Sequence, residues 1–297
     1  MHQEVRRIQH LMEQDSYVTD PAIATALHLS IALGRPLLIE GHAGVGKTEI
    51  ARVLTRVLNT ELIRLQCYEG LDSATALYEW NYPKQLLHIR LQERSTDDPA
   101  AQREAEIFSE AYLLARPLLR AITNPAQSPV LLLDEIDRSD EEFEAFLLEL
   151  LEDFQVTIPE IGTIRAQHRP HVLLTSNRSR ELSDALRRRC LYLWLDYPSF
   201  EKELRILRLK VPDLNRLLAE QIAAFVQSLR RMQLTKVPGI AESLDWARAL
   251  VILHATQLDE TLVRETLGTF LKDQSDILAI TAELDAGRLP QLMSALP

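Results

Sequence analysis

Eight consecutive residues, Gly41-His42-Ala43-Gly44-Val45-Gly46-Lys47-Thr48, constrain this chain more than any other stretch of it. They match the pattern GxxxxGK[ST], in which glycines let the backbone curl until several N–H groups converge on phosphate oxygens. Three of the nine glycines in the chain, Gly41, Gly44 and Gly46, fall inside it. Such a loop needs a strand ending at its first glycine and a helix beginning at its lysine, whose positive end faces the anion. The flanks read that way. Residues 36–40 (PLLIE) are a short apolar run, and Ile50, Ala51, Leu54, Val57 and Leu58 share one side of a helix starting near Lys47. Lys47 offers a mobile cation to the β and γ phosphates and the Thr48 hydroxyl a ligand to magnesium, and the expected nucleotide-binding stretch runs from Gly41 through Glu49. The expected ligands are ATP and Mg2+.

A second element supports the first. Residues 130–133 are an unbroken apolar strand, followed at once by Asp134 and Glu135. A carboxylate at a buried strand end is placed to fix magnesium, and the next acid to polarise an attacking water. Residues 171–175 (HVLLT) form another buried strand, after which Asn177 offers a neutral amide to a phosphate or to water. Arg187, Arg188 and Arg189 precede the strand at residues 191–195 (LYLWL). Arginine in that setting stabilises charge on a transferring phosphoryl group. Arg189 is the first candidate, with Arg188 as its helper or substitute.

Strand and helix alternate up to about Tyr197-Pro198, and only helical periodicity follows. This predicts an α/β fold, a three-layer αβα core with a parallel sheet, and then a small all-helical lid. The expected divisions are an N-terminal leader over residues 1–20, a nucleotide-binding core over 21–197 and a lid over 198–297. Asp20-Pro21 reads as a helix start and Gly34 as its end. Tyr78, Trp80 and Tyr82 recur at period two, Pro83-Lys84 reads as a turn, and Leu87, Ile89 and Leu91 resume the alternation. A hairpin is therefore expected at about residues 76–93, packed on the core or facing a partner. A second is expected at about 155–167, around Glu160-Ile161. Ser139 with Glu142 reads as a capping box, and Gly268 as a helix break.

Composition excludes several classes. No stretch approaches the ~18 unbroken apolar residues of a membrane-spanning helix, and no apolar block marks a secretory signal. A cytoplasmic protein with no membrane association is expected. Two cysteines, Cys67 and Cys190, lie far apart and outside any zinc-ligand spacing. The formal net charge is −10, and three clustered arginines are too few for a nucleic-acid track, so nucleic acid is disfavoured as a partner.

In this order, the four motifs resemble the AAA+ superfamily: Walker A, Walker B, sensor-1 asparagine and arginine finger. The strings LIRLQCYEGLD, LYEWNYP, AFLLELLEDFQVTIPEIGTIRA, LTSNRSREL, DALRRRCLY and ESLDWARAL further resemble the MoxR family, and most closely its CoxD-like members. The resemblance implies a helix-2 insert over Tyr78–Leu91, the hairpin expected at about 76–93, and a pre-sensor hairpin near 155–167. It also implies a ring homo-oligomer, usually a hexamer, and a partner bearing a von Willebrand factor A domain. The implied role is chaperone-like maturation of a client metalloenzyme with a molybdenum or copper centre. One departure stands out. Where relatives carry a lid arginine as sensor 2, this chain has Asp245, with Arg248 nearly one helical turn on. The competing readings are a small-molecule kinase, a clamp-loader-like DNA ATPase and a slowly hydrolysing nucleotide-gated scaffold.

Overall fold

The structure is a computed structural model that describes residues 2–92 and 107–294. Its strands are β1 (Leu37–Gly41), β2 (Leu62–Gln66), β3 (Tyr78–Trp80), β4 (Leu113–Ala115), β5 (Val130–Asp134), β6 (Gln155–Ile158), β7 (Gly162–Arg165), β8 (His171–Ser176) and β9 (Leu191–Leu195). Five of them form a parallel sheet in the order β2-β5-β8-β1-β9. Parallel neighbours need crossover connections, which is why helices such as Lys47–Leu58 and Glu141–Asp153 intervene between strands. All five residues of β1 and of β5 are buried, which explains why both read as unbroken apolar runs rather than alternating ones. The register sets Gln66 beside Asp134 and Glu40 beside Ser176. The carboxyl ends of β2, β5, β8 and β1 thus lie along one edge of the sheet, where open α/β sheets carry their ligands.

Compactness divides the described chain differently from the expected 1–20, 21–197 and 198–297. One unit comprises Ala22–Glu40 and Ile50–Leu193; the other joins the N-terminal residues through Pro21, the loop Gly41–Glu49 and the chain from Trp194 onward. The N-terminal stretch is a helix, His2–Gln14. The first unit holds a core of sheet and helix residues including Leu38, Leu131, Leu133, Phe143, Leu147 and Leu174. The second is built from helices Phe200–Lys210, Arg216–Arg230, Ile240–Ile252, Glu260–Phe270, Gln274–Asp285 and Leu289–Met293. Phe225, Trp246 and Phe270 pack at its centre with ring centroids 4.3–6.1 Å apart, and the Trp246 indole N–H donates to Thr266 Oγ1.

Three local expectations are corrected. The hairpin at 76–93 does not form: β3 pairs antiparallel with β4, Trp80 facing Leu113, and Tyr82–Gln92 is a helix. Asn81 is the cause, because its Oδ1 accepts the Lys84 N–H at 3.1 Å as an N-cap, and Pro83 tolerates a first helical turn. Residue 93 lies outside the described residues. Trp80 is buried against Phe108 at 5.3 Å, whereas Tyr82 is exposed on the helix, so the aromatic row does not share a face. The cap of Glu141–Asp153 is Asp140, which accepts the Phe143 N–H; the Ser139 hydroxyl is used on the Ile136 carbonyl. Gly268 lies within helix Glu260–Phe270 and does not break it. The segments β6 and β7 do pair as an antiparallel hairpin.

Candidate functional site

The glycine-rich loop is shaped by backbone that only glycine supplies cheaply. Gly44 and Gly46 have φ of +73° and +94°, where an L side chain is strained. Gly41 is required for another reason: a Cβ there would lie 2.1 Å from the Leu195 carbonyl oxygen. The Lys47 side chain is folded back on its own loop, its Nζ donating to the carbonyls of Gly41 at 2.7 Å and His42 at 2.6 Å. Val45 is buried and Ala43 exposed, and Thr48 and Glu49 occupy the first turn of Lys47–Leu58. His42 stacks flat on Tyr197, with centroids 4.5 Å apart and planes 9° apart, and meets the Trp194 ring edge-on. The start of helix Ile240–Ile252 lies on the same loop. The Ala241 N–H donates to the Gly44 carbonyl at 3.1 Å, and Gly239 approaches so closely that a Cβ would stand 2.8 Å from the Gly44 backbone. This contact is made by main chain. Arg248 does not reach for the loop; it pairs with Asp245 at 3.0 Å.

In the other unit the acids at the end of β5 are held by a dense set of donors. Asp134 is buried, and its Oδ1 accepts the Thr175 hydroxyl at 2.5 Å. Its Oδ2 accepts both Nε and Nη2 of Arg64, at 2.9 and 2.6 Å. Glu135 follows with φ 56° and ψ 51°, a left-handed conformation that costs a non-glycine residue ~1–3 kcal/mol and concentrates at functional sites. Its N–H donates to Thr175 Oγ1. Its carboxylate accepts Gln66 Nε2 at 3.1 Å and Asn177 Nδ2 at 3.4 Å, one on each oxygen. Arg138 Nη1 stands 3.4 Å from the same oxygen as Gln66. Asn177 is steadied through its own N–H, 3.2 Å from both oxygens of buried Asp137, which also receives Ser179. Cys67 lies beside these acids; burial, reinforced by Asp134, Asp137 and Glu135, pushes its thiol up to about 12.

The structure separates the arginine triplet into three situations. Helix Asp184–Arg189 begins at Ser183, whose hydroxyl caps it. Arg187 Nη1 meets buried Glu40 at 3.2 Å and its guanidinium lies over the Tyr192 ring. Arg189 Nη1 donates to the Leu148 carbonyl and to Glu152, at 2.9 and 2.8 Å. Arg188 is exposed, and its carbonyl accepts Arg35 Nη2 at 2.7 Å; Arg35 Nε holds the Arg189 carbonyl at 3.2 Å. Arg35 therefore caps the carboxyl end of this helix.

Sequence reasoning missed Arg64, Gln66, Thr175 and Arg35. The alternation of β2 was a usable signal for the first two, since Arg64 and Gln66 must share the face opposite Ile63 and Leu65. Nothing in the chain signalled that Arg35 would reach residues more than 150 positions away. The donors present fit the expected ligands. The loop of the one unit offers a lysine and, at Gly44 and Gly46, backbone of positive φ, and in the other unit the carboxylate oxygens of Asp134 are of the donor type that suits a hard divalent cation such as magnesium.

Residues 36–190 match the family described as "AAA domain (dynein-related subfamily)". An uncharacterized protein of Staphylococcus epidermidis is 26% identical over 262 residues, spanning 84% of this chain and 89% of that one. Among solved structures, one point variant of RuvB from Thermotoga maritima superposes with a TM-score of 0.51 at 20% identity, over 90% of this chain and 76% of that one. A second gives 0.50 at 20% identity, over 86% and 69%. At such identity the likeness shows the α/β P-loop fold and its helical C-terminal region.

Proposed function

The chain belongs to the dynein-related subfamily of AAA domains, and on that premise we propose that it hydrolyses ATP with magnesium to remodel a protein client. The observation that carries the reading is the strained Glu135, with the Asn177 amide at one of its carboxylate oxygens. When bound, Mg·ATP supplies the phosphoryl group and the charge that neutralises it in flight. Lys47 would give its ammonium to phosphate oxygens in place of the loop carbonyls, Asp134 would help to hold the metal, and Glu135 would accept the proton of the attacking water, which Asn177 would orient. Two acids followed by an amide suit water as the acceptor better than a second substrate.

The test is inorganic phosphate released from ATP with no added acceptor. Wild-type protein should release it. Glu135→Gln should bind ATP equally well and release phosphate about 10²–10⁴-fold more slowly. Normal turnover in that variant excludes Glu135 as the base. Phosphate transfer that appears only with an added acceptor points to a kinase instead.

From the resemblance we further propose a ring of this chain, hexameric in the usual case, working with a von Willebrand factor A domain partner on a molybdenum- or copper-containing client. In this reading Arg188 or Arg189 completes the site of the adjacent subunit. A host lacking the chain should then make the client polypeptide at normal levels but short of its metal centre. One observation favours a slowly turning, nucleotide-gated variant of this reading: both Glu135 oxygens already accept bonds from its own chain. Turnover should in that case rise sharply when the partner is added.

A further inference from the structure

We propose that Arg64 occupies Asp134 in competition with magnesium, so that the carboxylate exchanges one cation for another during the nucleotide cycle. The inference rests on the nucleotide reading above. Asp134 is almost wholly buried, with a side-chain exposure of 4%, and a buried carboxylate without a countercharge is costly. Arg64 provides that countercharge, giving Nε and Nη2 to the single oxygen Oδ2. The other oxygen, Oδ1, accepts the hydroxyl of Thr175. A hydrated metal approaching Asp134 therefore meets a guanidinium cation. The two cations repel, and one must leave.

The two partners differ in freedom. Asp134 is fixed at the end of a buried strand, whereas the Arg64 side chain is 44% exposed and can swing into water at little cost. Its exit has a second consequence on the same network. Arg64 Nη2 also donates to Gln66 Oε1, and Gln66 Nε2 donates to Glu135 Oε2. Release of Arg64 thus frees the amide that restrains the proposed base. Arrival of metal at Asp134 and loosening of Glu135 become one event, which ties the metal to the readiness of the acid pair.

The experiment reads metal affinity rather than turnover. Mn2+ is titrated, as a paramagnetic substitute for Mg2+, into protein saturated with ADP, and ADP affinity is measured separately in EDTA. Arg64→Gln removes the competing charge, so its half-saturating Mn2+ concentration should fall by at least about five-fold, the lower end of ordinary coupling between sites. Its ADP affinity in EDTA should stay within about two-fold of wild type, by the same measure of coupling. Arg64→Lys keeps the charge with a single donor group and should show a smaller fall; it also serves if Arg64→Gln does not fold. An unchanged or higher Mn2+ requirement in both folded variants overturns the exchange, and a higher one would mean that Arg64 merely orients Asp134 for the metal. Wild-type protein that binds ADP while the variants show no shift defeats the exchange alone. Wild-type protein that binds no ADP defeats both it and the nucleotide reading.

Discussion

Lys47 and Cys67 show how single side chains report on their surroundings. The Lys47 ammonium satisfies two carbonyls of the very loop it serves, so its loss removes both a phosphate ligand and an internal brace. Lys47→Ala should weaken ATP binding itself by ~1.5–3 kcal/mol, the range for a charge-assisted hydrogen bond and more than a neutral one contributes. Glu135→Gln, by contrast, should leave binding intact; equilibrium titration with ATP separates the two. The Cys67 thiol is held up to about 12 from an ordinary 9.0, first by burial and then by three neighbouring acids. Between those two values the unfolded chain loses the proton that the folded chain keeps. The folded state therefore binds more protons, and stability falls as pH rises through that window. Urea midpoints measured from pH 8 upward should decline more steeply in wild type than in Cys67→Ala, and at neutral pH the folded protein should resist thiol reagents at Cys67. Gly44 and Gly46 were legible because their positive φ is demanded by local backbone chemistry, whereas Gly41 answers to the distant Leu195 carbonyl and was legible only through its place in the motif. Arg64 and Gln66 were not, because a strand's alternation tells which face a residue takes and not which carboxylate it will meet.

At the level of elements, legibility followed the range of the interactions involved. The strands β1, β5 and β8 could be read directly, since burial on both faces leaves an apolar run in the chain. The period-two pattern after Tyr78 misled, because the partner of β3 lies more than thirty positions away at β4 while a local cap at Asn81 turns the next residues helical. Trp80 consequently belongs to the core, and Trp80→Ala should cost ~3–5 kcal/mol in chemical denaturation rather than sparing stability and affecting only a client. Near Asp245, where the resemblance would lead one to expect an arginine, the observed contact is one between elements. Helix Ile240–Ile252 meets the glycine loop through main chain, the Gly44 carbonyl taking the Ala241 N–H. Behind it, Ser243 donates to Glu203, which is paired with Arg230, and that guanidinium lies over Tyr197, the ring on which His42 stacks. Gly239→Ala would drive a methyl into the backbone of Ala43 and Gly44, where no flexible side chain can yield. It should weaken ATP binding by ~1–3 kcal/mol, the usual cost of overpacking, with the helical unit still folded by circular dichroism.

For the whole molecule, the question is whether one chain suffices for turnover. Arg187 is committed to Glu40 and Tyr192, and Arg189 to Glu152 and the Leu148 carbonyl. Arg188 is exposed on a helix whose carboxyl end Arg35 braces. If turnover needs an arginine from a neighbouring copy, Arg188 is the member of the triplet whose side chain is least spent at home. Specific activity should then rise with protein concentration as rings assemble. Arg188→Ala should lower kcat about 10³-fold or more, as removal of such an arginine does in other phosphoryl-transfer enzymes, with ATP binding unchanged. Arg189→Ala should mainly loosen its own helix against Glu141–Asp153. Mixing Arg188→Ala with Lys47→Ala should restore part of the activity, because a mixed ring contains interfaces that join an intact glycine loop to an intact Arg188. Light scattering on the mixture must show that mixed rings form. If Arg188→Ala alone keeps full turnover, or if mixed rings form and no activity returns, Arg188 does not complete the site of a neighbouring copy.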